Sequence, residues 1–240
     1  MEPEPLKIDI RKDETVTALL YPASRKDRAG WTIILGHGAG ANQLSPFMRL
    51  FASGFAERGL DAVTFNFLYK ERGRSVPDQK TKLEACFAAV ISQVRTHKKL
   101  KKNQLAIGGK SMGGRIASQV AAALSSGAYQ DAGLPIDNRS INALVFLGYP
   151  LHPPGKPEQL RDAHLKDVEA PMLFVQGTRD PFGSPEEIRA VIKKHRLPGT
   201  IHLIEGGDHS FKVPKSVAPQ NEVFEFVLDK IRTWLTTIGD

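Results

Sequence analysis

Short apolar runs recur along the chain, rich in Val, Ile, Leu and aromatic residues, and most of them are apolar on both faces. Runs of this length predict buried β-strands, because a parallel sheet covered on both sides leaves no solvated face. The predicted strands span residues 31–35, 62–65, 105–108, 143–147, 172–176 and 200–204.

Segments with a helical spacing of apolar residues lie between these strands or after the last one, at residues 44–58, 79–97, 112–124, 185–195 and 222–235. Ser45 and Pro46 fit the N-cap and the first turn of the first helix. Strands that alternate with helices of this length predict right-handed crossovers. The expected fold class is therefore α/β, with a mostly parallel sheet covered by helices on both faces.

Three parts of the chain depart from this alternation. Residues 6–10 and 16–20 are predicted to form an antiparallel hairpin at one edge of the sheet. Residues 68–77 and 148–170 are predicted to be loops above the sheet. The second loop joins one strand directly to the next and is too short for a separate lid domain.

The bulk composition predicts one globular domain over residues 1–240, since no linker-like segment divides the chain. A hydrophobic fraction of 41% is enough for a sizeable core. No apolar run approaches the roughly 18 residues of a membrane span, and the N-terminal segment has no apolar leader, so we expect a cytoplasmic protein without membrane contact. Cys86, the single cysteine, lies among apolar helical positions and is predicted to be a packed thiol.

The formal net charge of +7 raises the question of an acidic partner. The densest basic stretch, residues 98–102, follows a predicted helix, where cations complement the helix C-terminus. No nucleic-acid-binding motif or set of interleaved aromatic residues accompanies it. We therefore expect a solvated helix end and no specific binding of nucleic acid.

The most specific chemical signal is Gly109-Lys110-Ser111-Met112-Gly113, a G-x-S-x-G pattern between a predicted strand and a predicted helix. This context is that of a nucleophile elbow, in which a serine in a strained turn projects its hydroxyl above the sheet. Both positions two residues from the serine are glycine, as the tight turn requires. Ser111 is therefore the predicted nucleophile.

Gly-Lys-Ser is also the end of a phosphate-binding P-loop, and that alternative fails on spacing. A P-loop needs its first glycine at position 104, where this chain has Gln104. The residues that would form the phosphate loop are also those of the predicted strand 105–108. The pattern therefore does not indicate a nucleotide site.

A serine nucleophile needs a general base, and the base needs a carboxylate that fixes its tautomer. Asp180 and His209 each follow the end of a successive predicted strand, in the order Ser, Asp, His that this arrangement requires. Asp208 is the alternative acid. Its side chain, adjacent to His209 in the chain, is expected to diverge from the imidazole, so Asp180 is the predicted orienting residue.

The segment Gly36-His37-Gly38-Ala39-Gly40 follows the first parallel strand and is small enough for close backbone approach to a substrate. Backbone N–H groups at such a position stabilise negative charge on a reacting carbonyl oxygen. The predicted oxyanion donors are the amides of Ala39 and Met112. His37 is predicted to hold the turn rather than to act as a base or ligand.

These motifs resemble those of the α/β-hydrolase superfamily, with the dienelactone-hydrolase-like branch nearest in size. HGAGAN, GGKSMGGR, GYPLHPPGKPE, QGTRDPFG and GGDHSFK together resemble the testis-expressed protein 30 and KANSL3-like hydrolase group. The resemblance implies the fold and a triad, but no settled substrate. Dienelactone hydrolases carry cysteine where this chain has Ser111, so their lactone substrate is not carried over. Lys110 also departs from the aromatic residue or histidine common beside the serine of lipases and esterases.

The sequence thus predicts a serine hydrolase that acts on a small ester, thioester or related acyl substrate, with no cofactor and no metal. An α/β-hydrolase fold kept as a non-catalytic binding or assembly module is the main alternative. A peptidase of the prolyl-oligopeptidase type is a third, but the large additional domain of that class is missing. Several cations are candidates for binding anionic substrates: His152, Arg72, Arg74, Lys110, Arg115 and Arg179.

Overall fold

The computed structural model describes residues 2–11, 13–24, 28–129 and 133–239. The strands in these residues are β1 (Glu4–Arg11), β2 (Glu14–Tyr21), β3 (Trp31–Gly36), β4 (Asp61–Phe65), β5 (Gln104–Lys110), β6 (Ala143–Leu147), β7 (Met172–Gly177) and β8 (Gly199–Ile204). The α-helices are α1 (Pro46–Glu57), α2 (Leu68–Glu71), α3 (Lys80–Thr96), α4 (Met112–Leu124), α5 (Pro185–His195) and α6 (Gln220–Gly239).

The strands form one sheet in the order β1-β2-β4-β3-β5-β6-β7-β8. The pairs from β4 to β8 are parallel, whereas β2 pairs antiparallel with both β1 and β4. The predicted parallel sheet with an antiparallel hairpin at one edge is therefore confirmed. This is the strand arrangement of the α/β-hydrolase fold.

Each face of the sheet carries its own apolar core, which explains why the central strands are buried throughout. One core includes Phe87 of α3, Ile116 of α4 and Ile188 of α5. The other includes Phe51 of α1 and Val227 of α6. The helices thus cover both faces, as the crossover connections require.

The chain reverses its direction across the sheet at β3. From β3 it moves outward to β4, then returns past β3 to β5 on the other side. The loops that leave the ends of the adjacent strands β3 and β5 therefore diverge, and they open a crevice at the carboxyl edge of the sheet. In open α/β sheets this is where ligands bind.

The prediction that residues 68–77 form only a loop is wrong. Leu68–Glu71 forms the short helix α2, because Leu68 and Tyr69 are buried against the core and pull this part of the segment onto the protein. The 148–170 segment is irregular as predicted, apart from the 3₁₀ turn Leu165–Asp167. Ser45 occupies the N-cap of α1, but its hydroxyl makes no capping hydrogen bond.

Two smaller predictions are confirmed. The basic stretch 98–102 forms a turn directly after α3, where Lys99 pairs with Glu4 at 2.8 Å. Cys86 is buried, and burial raises the pKa of its thiol to about 12. Among the described residues, no helix has the length and apolar character needed to cross a membrane.

Candidate active site

Ser111 lies in a strained turn between the end of β5 and the start of α4. Its backbone angles are φ 52° and ψ −116°, a conformation that costs a non-glycine residue of order 1–3 kcal/mol. The backbone N–H of Ser111 donates to the carbonyl of Leu147 at the end of β6, 3.2 Å away. The strain is therefore held in place by the neighbouring strand, and the side chain lies at the N-terminus of α4.

The turn packs against the end of β3 so closely that two positions must be glycine. A Cβ at Gly109 would lie 2.1 Å from the carbonyl oxygen of Gly36, and a Cβ at Gly113 would lie 2.0 Å from the same atom. Gly109 also has φ +137°. Both glycines of the G-x-S-x-G pattern thus allow the turn after β5 to pack directly against the end of β3. This contact brings the segment 36–40 beside Ser111.

The structure brings Ser111, His209 and Asp180 together in one chain of hydrogen bonds. His209 Nε2 lies 2.8 Å from Ser111 Oγ, and His209 Nδ1 lies 2.7 Å from Asp180 Oδ2. The carboxylate acceptor assigns the proton to Nδ1, so Nε2 is free to accept from the serine hydroxyl. The Asp180 side chain is fully buried, whereas the His209 side chain is 17% exposed and can meet a substrate.

Two residues that sequence reasoning missed fix the position of Asp180. Gln176 Nε2 donates to Asp180 Oδ2 at 2.8 Å, and the Phe182 N–H donates to Oδ1 at 2.9 Å. The Phe182 ring also lies against the His209 imidazole, with ring centres 4.2 Å apart. The available signal was Gln176 itself, a polar side chain in the otherwise apolar strand β7.

Asp208 has a different set of contacts. Its Oδ1 accepts from the backbone N–H groups of Ser210 and Lys212, at 2.7 and 3.0 Å. These bonds close a tight turn around His209 and direct the carboxylate back to its own loop. The structure therefore places Asp180, and not Asp208, against the imidazole.

The segment 36–40 is held by a backbone amide and a side chain from the segment after β4. The Phe67 N–H donates to His37 Nε2 at 3.2 Å, and His37 Nδ1 donates to the Gly38 carbonyl at 2.8 Å. The Tyr69 hydroxyl donates to the Ala39 carbonyl at 2.7 Å. Burial lowers the pKa of His37 to about 4, so it is neutral near pH 7 and holds the turn as predicted.

The amides of Ala39 and Met112 are available for a ligand. In the described part of the chain, neither N–H donates to a backbone carbonyl. Met112 is the first residue of α4, where an N–H has no partner inside the helix. The segment that carries Ala39 lies beside the serine, since a Cβ on Gly38 would be 3.7 Å from Ser111 Cβ.

Three of the six cationic candidates are engaged with acids. The pairs are Arg72–Glu14, Arg74–Asp78 and His152–Glu187. Of these six residues, Lys110 alone lines a cavity of about 410 Å³ next to Ser111. The cavity also includes Gly38 and Ser210, which neighbour the oxyanion segment and His209.

This geometry suits nucleophilic attack by a serine on an acyl carbon. It combines the hydroxyl of a half-buried serine, an imidazole nitrogen within hydrogen-bond distance of it, a buried carboxylate and two free amides at one edge of the sheet. Among the described residues, no cluster of His, Cys, Asp and Glu side chains could hold a metal ion.

Comparisons with known proteins agree with this architecture. The family model described as an α/β-hydrolase domain matches residues 29–236. A serine hydrolase homologue from Coxiella burnetii is similar with a TM-score of 0.69 and 18% identity, over 99% of this chain and 97% of its own. A serine hydrolase without a lid from Xanthomonas campestris has the same TM-score and identity, over 98% of this chain and 95% of its own.

A dienelactone hydrolase from Anabaena variabilis is also similar, with a TM-score of 0.68 and 17% identity, over 95% of this chain and 97% of its own. At these identities the solved structures establish the shared fold, and the sequence match to the family model establishes the relationship.

Proposed function

Because this chain belongs to the α/β-hydrolase domain family, we propose that it is a serine hydrolase of small esters, thioesters or related acyl compounds. Ser111 is the nucleophile, His209 the general base and Asp180 the orienting acid. The single observation that carries the proposal is the pair of bonds at 2.8 and 2.7 Å that links these three side chains. A carboxylesterase or thioesterase is the enzyme class that fits best.

Acylation begins when Ser111 Oγ attacks the acyl carbon and His209 Nε2 takes the hydroxyl proton. The carbonyl oxygen becomes an oxyanion, which the amides of Ala39 and Met112 stabilise. Asp180 stays ionised and stabilises the imidazolium. The intermediate then collapses, the bond to the alcohol or thiol breaks, and His209 protonates the leaving group.

Deacylation repeats these steps with water as the nucleophile. His209 takes a proton from water, the hydroxide attacks the acyl-enzyme carbonyl, and the same two amides stabilise the second oxyanion. Collapse releases the carboxylic acid and returns the proton to Ser111 Oγ. No metal or cofactor takes part in the proposed cycle.

The finer sequence-based expectations belong to the same proposal. They are membership of the testis-expressed protein 30 and KANSL3-like group, a single domain over residues 1–240, a cytoplasmic location, and no specific binding of nucleic acid. The five motifs quoted above support the first, and the one continuous sheet supports the second.

Fluorophosphonate labelling tests the proposed nucleophile. We expect a fluorophosphonate probe to label the native protein at Ser111 and to leave Ser111→Ala unlabelled, because only an activated serine reacts readily. Mass spectrometry of the labelled peptide identifies the site.

Ser118→Ala is the matched control, because Ser118 Oγ also lies 2.8 Å from a histidine, His164 Nε2, but is buried in the middle of α4. This variant should label like the native protein. Absence of labelling on folded native protein would instead favour a non-catalytic binding module.

A further inference from the structure

The side chain of Lys110 is buried beside the site although the residue precedes the nucleophile directly. It is 8% exposed, and its ammonium lies 5.6 Å from the ring centre of Phe47 and 5.9 Å from that of Phe211. One N–H donates to the backbone carbonyl of His209. The ammonium is thus held between two aromatic rings and the loop that carries the base.

Among the described residues the lysines that form ion pairs are Lys80, Lys99 and Lys194, and Lys110 has no carboxylate within ion-pair distance. An ammonium has three N–H donors, and the carbonyl of His209 is the single acceptor that the described residues supply to it. A buried cation in this state is costly unless a ligand supplies the missing charge and acceptors. Binding an anion here would therefore be favourable.

The cavity that Lys110 lines has a composition that selects both an apolar chain and a negative charge. Its walls include Phe47, Met48, Leu50 and Phe224, and its charged lining residues are Lys110 and Lys212. None of the described residues that line it is acidic. An occupant with an apolar stem and an anionic end matches both features.

We propose that this cavity binds the acyl chain of the substrate and that Lys110 binds a carboxylate at the end of that chain. The preferred substrates are then monoesters or monothioesters of short dicarboxylic acids. The proposal rests on the proposed function, since it assigns the substrate class of the same site. It makes Lys110 a specificity-determining residue.

The protonation of Lys110 supports this assignment. Burial lowers the pKa of its ammonium to about 8, while the nearby charges of Asp180 and Asp208 act in the opposite direction. Two further titratable residues among those described lie close by: His209, whose carbonyl accepts from Lys110, and Lys212, which lines the cavity. Lys110 is therefore charged at neutral pH and loses its proton as the pH rises above about 8.

The test compares pairs of methyl esters that differ only at the end of the acyl chain. Monomethyl adipate and methyl hexanoate share a six-carbon acyl chain, and one ends in a carboxylate where the other ends in a methyl group. Analogous pairs cover four to eight carbons. We expect the native protein to favour the carboxylated ester of the best length by about 10- to 100-fold in kcat/KM, the range of one charged hydrogen bond.

Lys110→Met should remove this preference, mainly through a higher KM for the carboxylated ester. Lys102→Met is the control. It removes the same charge from an exposed turn that precedes the start of β5, whereas Lys110 is the last residue of that strand. It should keep the preference. In the native protein the preference should also decline above about pH 8, because the Lys110 ammonium then loses its charge.

A binding measurement keeps the proposal testable without turnover and without a Lys110 variant. In Ser111→Ala, adipate should raise the melting temperature more than hexanoate at equal concentration. Equal shifts, an equal rate on both esters, or a preference for a carboxylate on the alcohol side would each overturn the assignment, even if Ser111 labels. If adipate binds selectively but nothing is labelled or hydrolysed, the proposed function fails and the carboxylate site stands.

Discussion

Asp180→Asn is expected to lower kcat by roughly 10³- to 10⁴-fold with little change in fold, as for the corresponding acid of serine proteases. Asp180 Oδ2 accepts from both His209 Nδ1 and Gln176 Nε2. In the asparagine variant, an amide N–H₂ in place of Oδ2 would face the N–H donors of both His209 and Gln176 and could accept from neither. The imidazole would then favour the tautomer with the proton on Nε2, which cannot accept the proton of Ser111.

Asp208→Asn is the matched control on the adjacent candidate acid. Its Oδ1 accepts two backbone N–H groups, and an asparagine Oδ1 can accept both of them. We expect a loss of less than about tenfold. The comparison needs kcat for both variants on one ester, with circular dichroism as the check on folding. If Asp208→Asn lowers kcat strongly while Asp180→Asn stays active, the assignment of Asp180 as the acid is wrong.

Gly113→Ala is expected to destabilise the fold by about 3 kcal/mol, although alanine in a helix is intrinsically favoured over glycine by about 1 kcal/mol. The added Cβ would lie 2.0 Å from the carbonyl oxygen of Gly36. That atom belongs to β3, which pairs with β4 and β5 and cannot move away alone. The overlap therefore outweighs the gain in helix propensity.

Gly40→Ala is the control for this substitution. A Cβ at Gly40 meets nothing within 4 Å, and Gly40 is not among the glycines with positive φ. We expect its free energy of unfolding to stay within about 0.5 kcal/mol of the native value. Urea denaturation measures both variants. A Gly113→Ala protein as stable as the native one would show that the contact between β3 and the elbow can relax.

The fold was largely predictable because its signals are local. Most residues of the buried parallel strands are apolar, and the helices α4 and α5 were predicted with the bounds they have in the structure. The hairpin of β1 and β2 was predicted as well. The helix α2 was missed because four residues are too few for a periodic pattern, and its formation depends on burial of Leu68 and Tyr69.

The candidate site was predictable in part for the same reason. Ser111, Asp180 and His209 each follow a recognisable strand, and parallel strands bring their carboxyl ends to one edge of the sheet. Their catalytic roles remain a prediction that the labelling and the Asp180 variant test. Gln176 was missed because its partners depend on how the loops after β6 and β7 fold.

By itself the sequence determined the order of strands and helices apart from α2, the glycines of the elbow, and the positions of three side chains at strand ends. These features depend on period, residue size and chain order, which are local properties. The tertiary structure decided that Asp180 meets His209 while Asp208 turns back to its own loop. It also decided that Arg72 and Arg74 are neutralised by acids whereas Lys110 lines the cavity without one. Such pairings depend on distances between segments far apart in the chain, and these distances are fixed only when the sheet is packed.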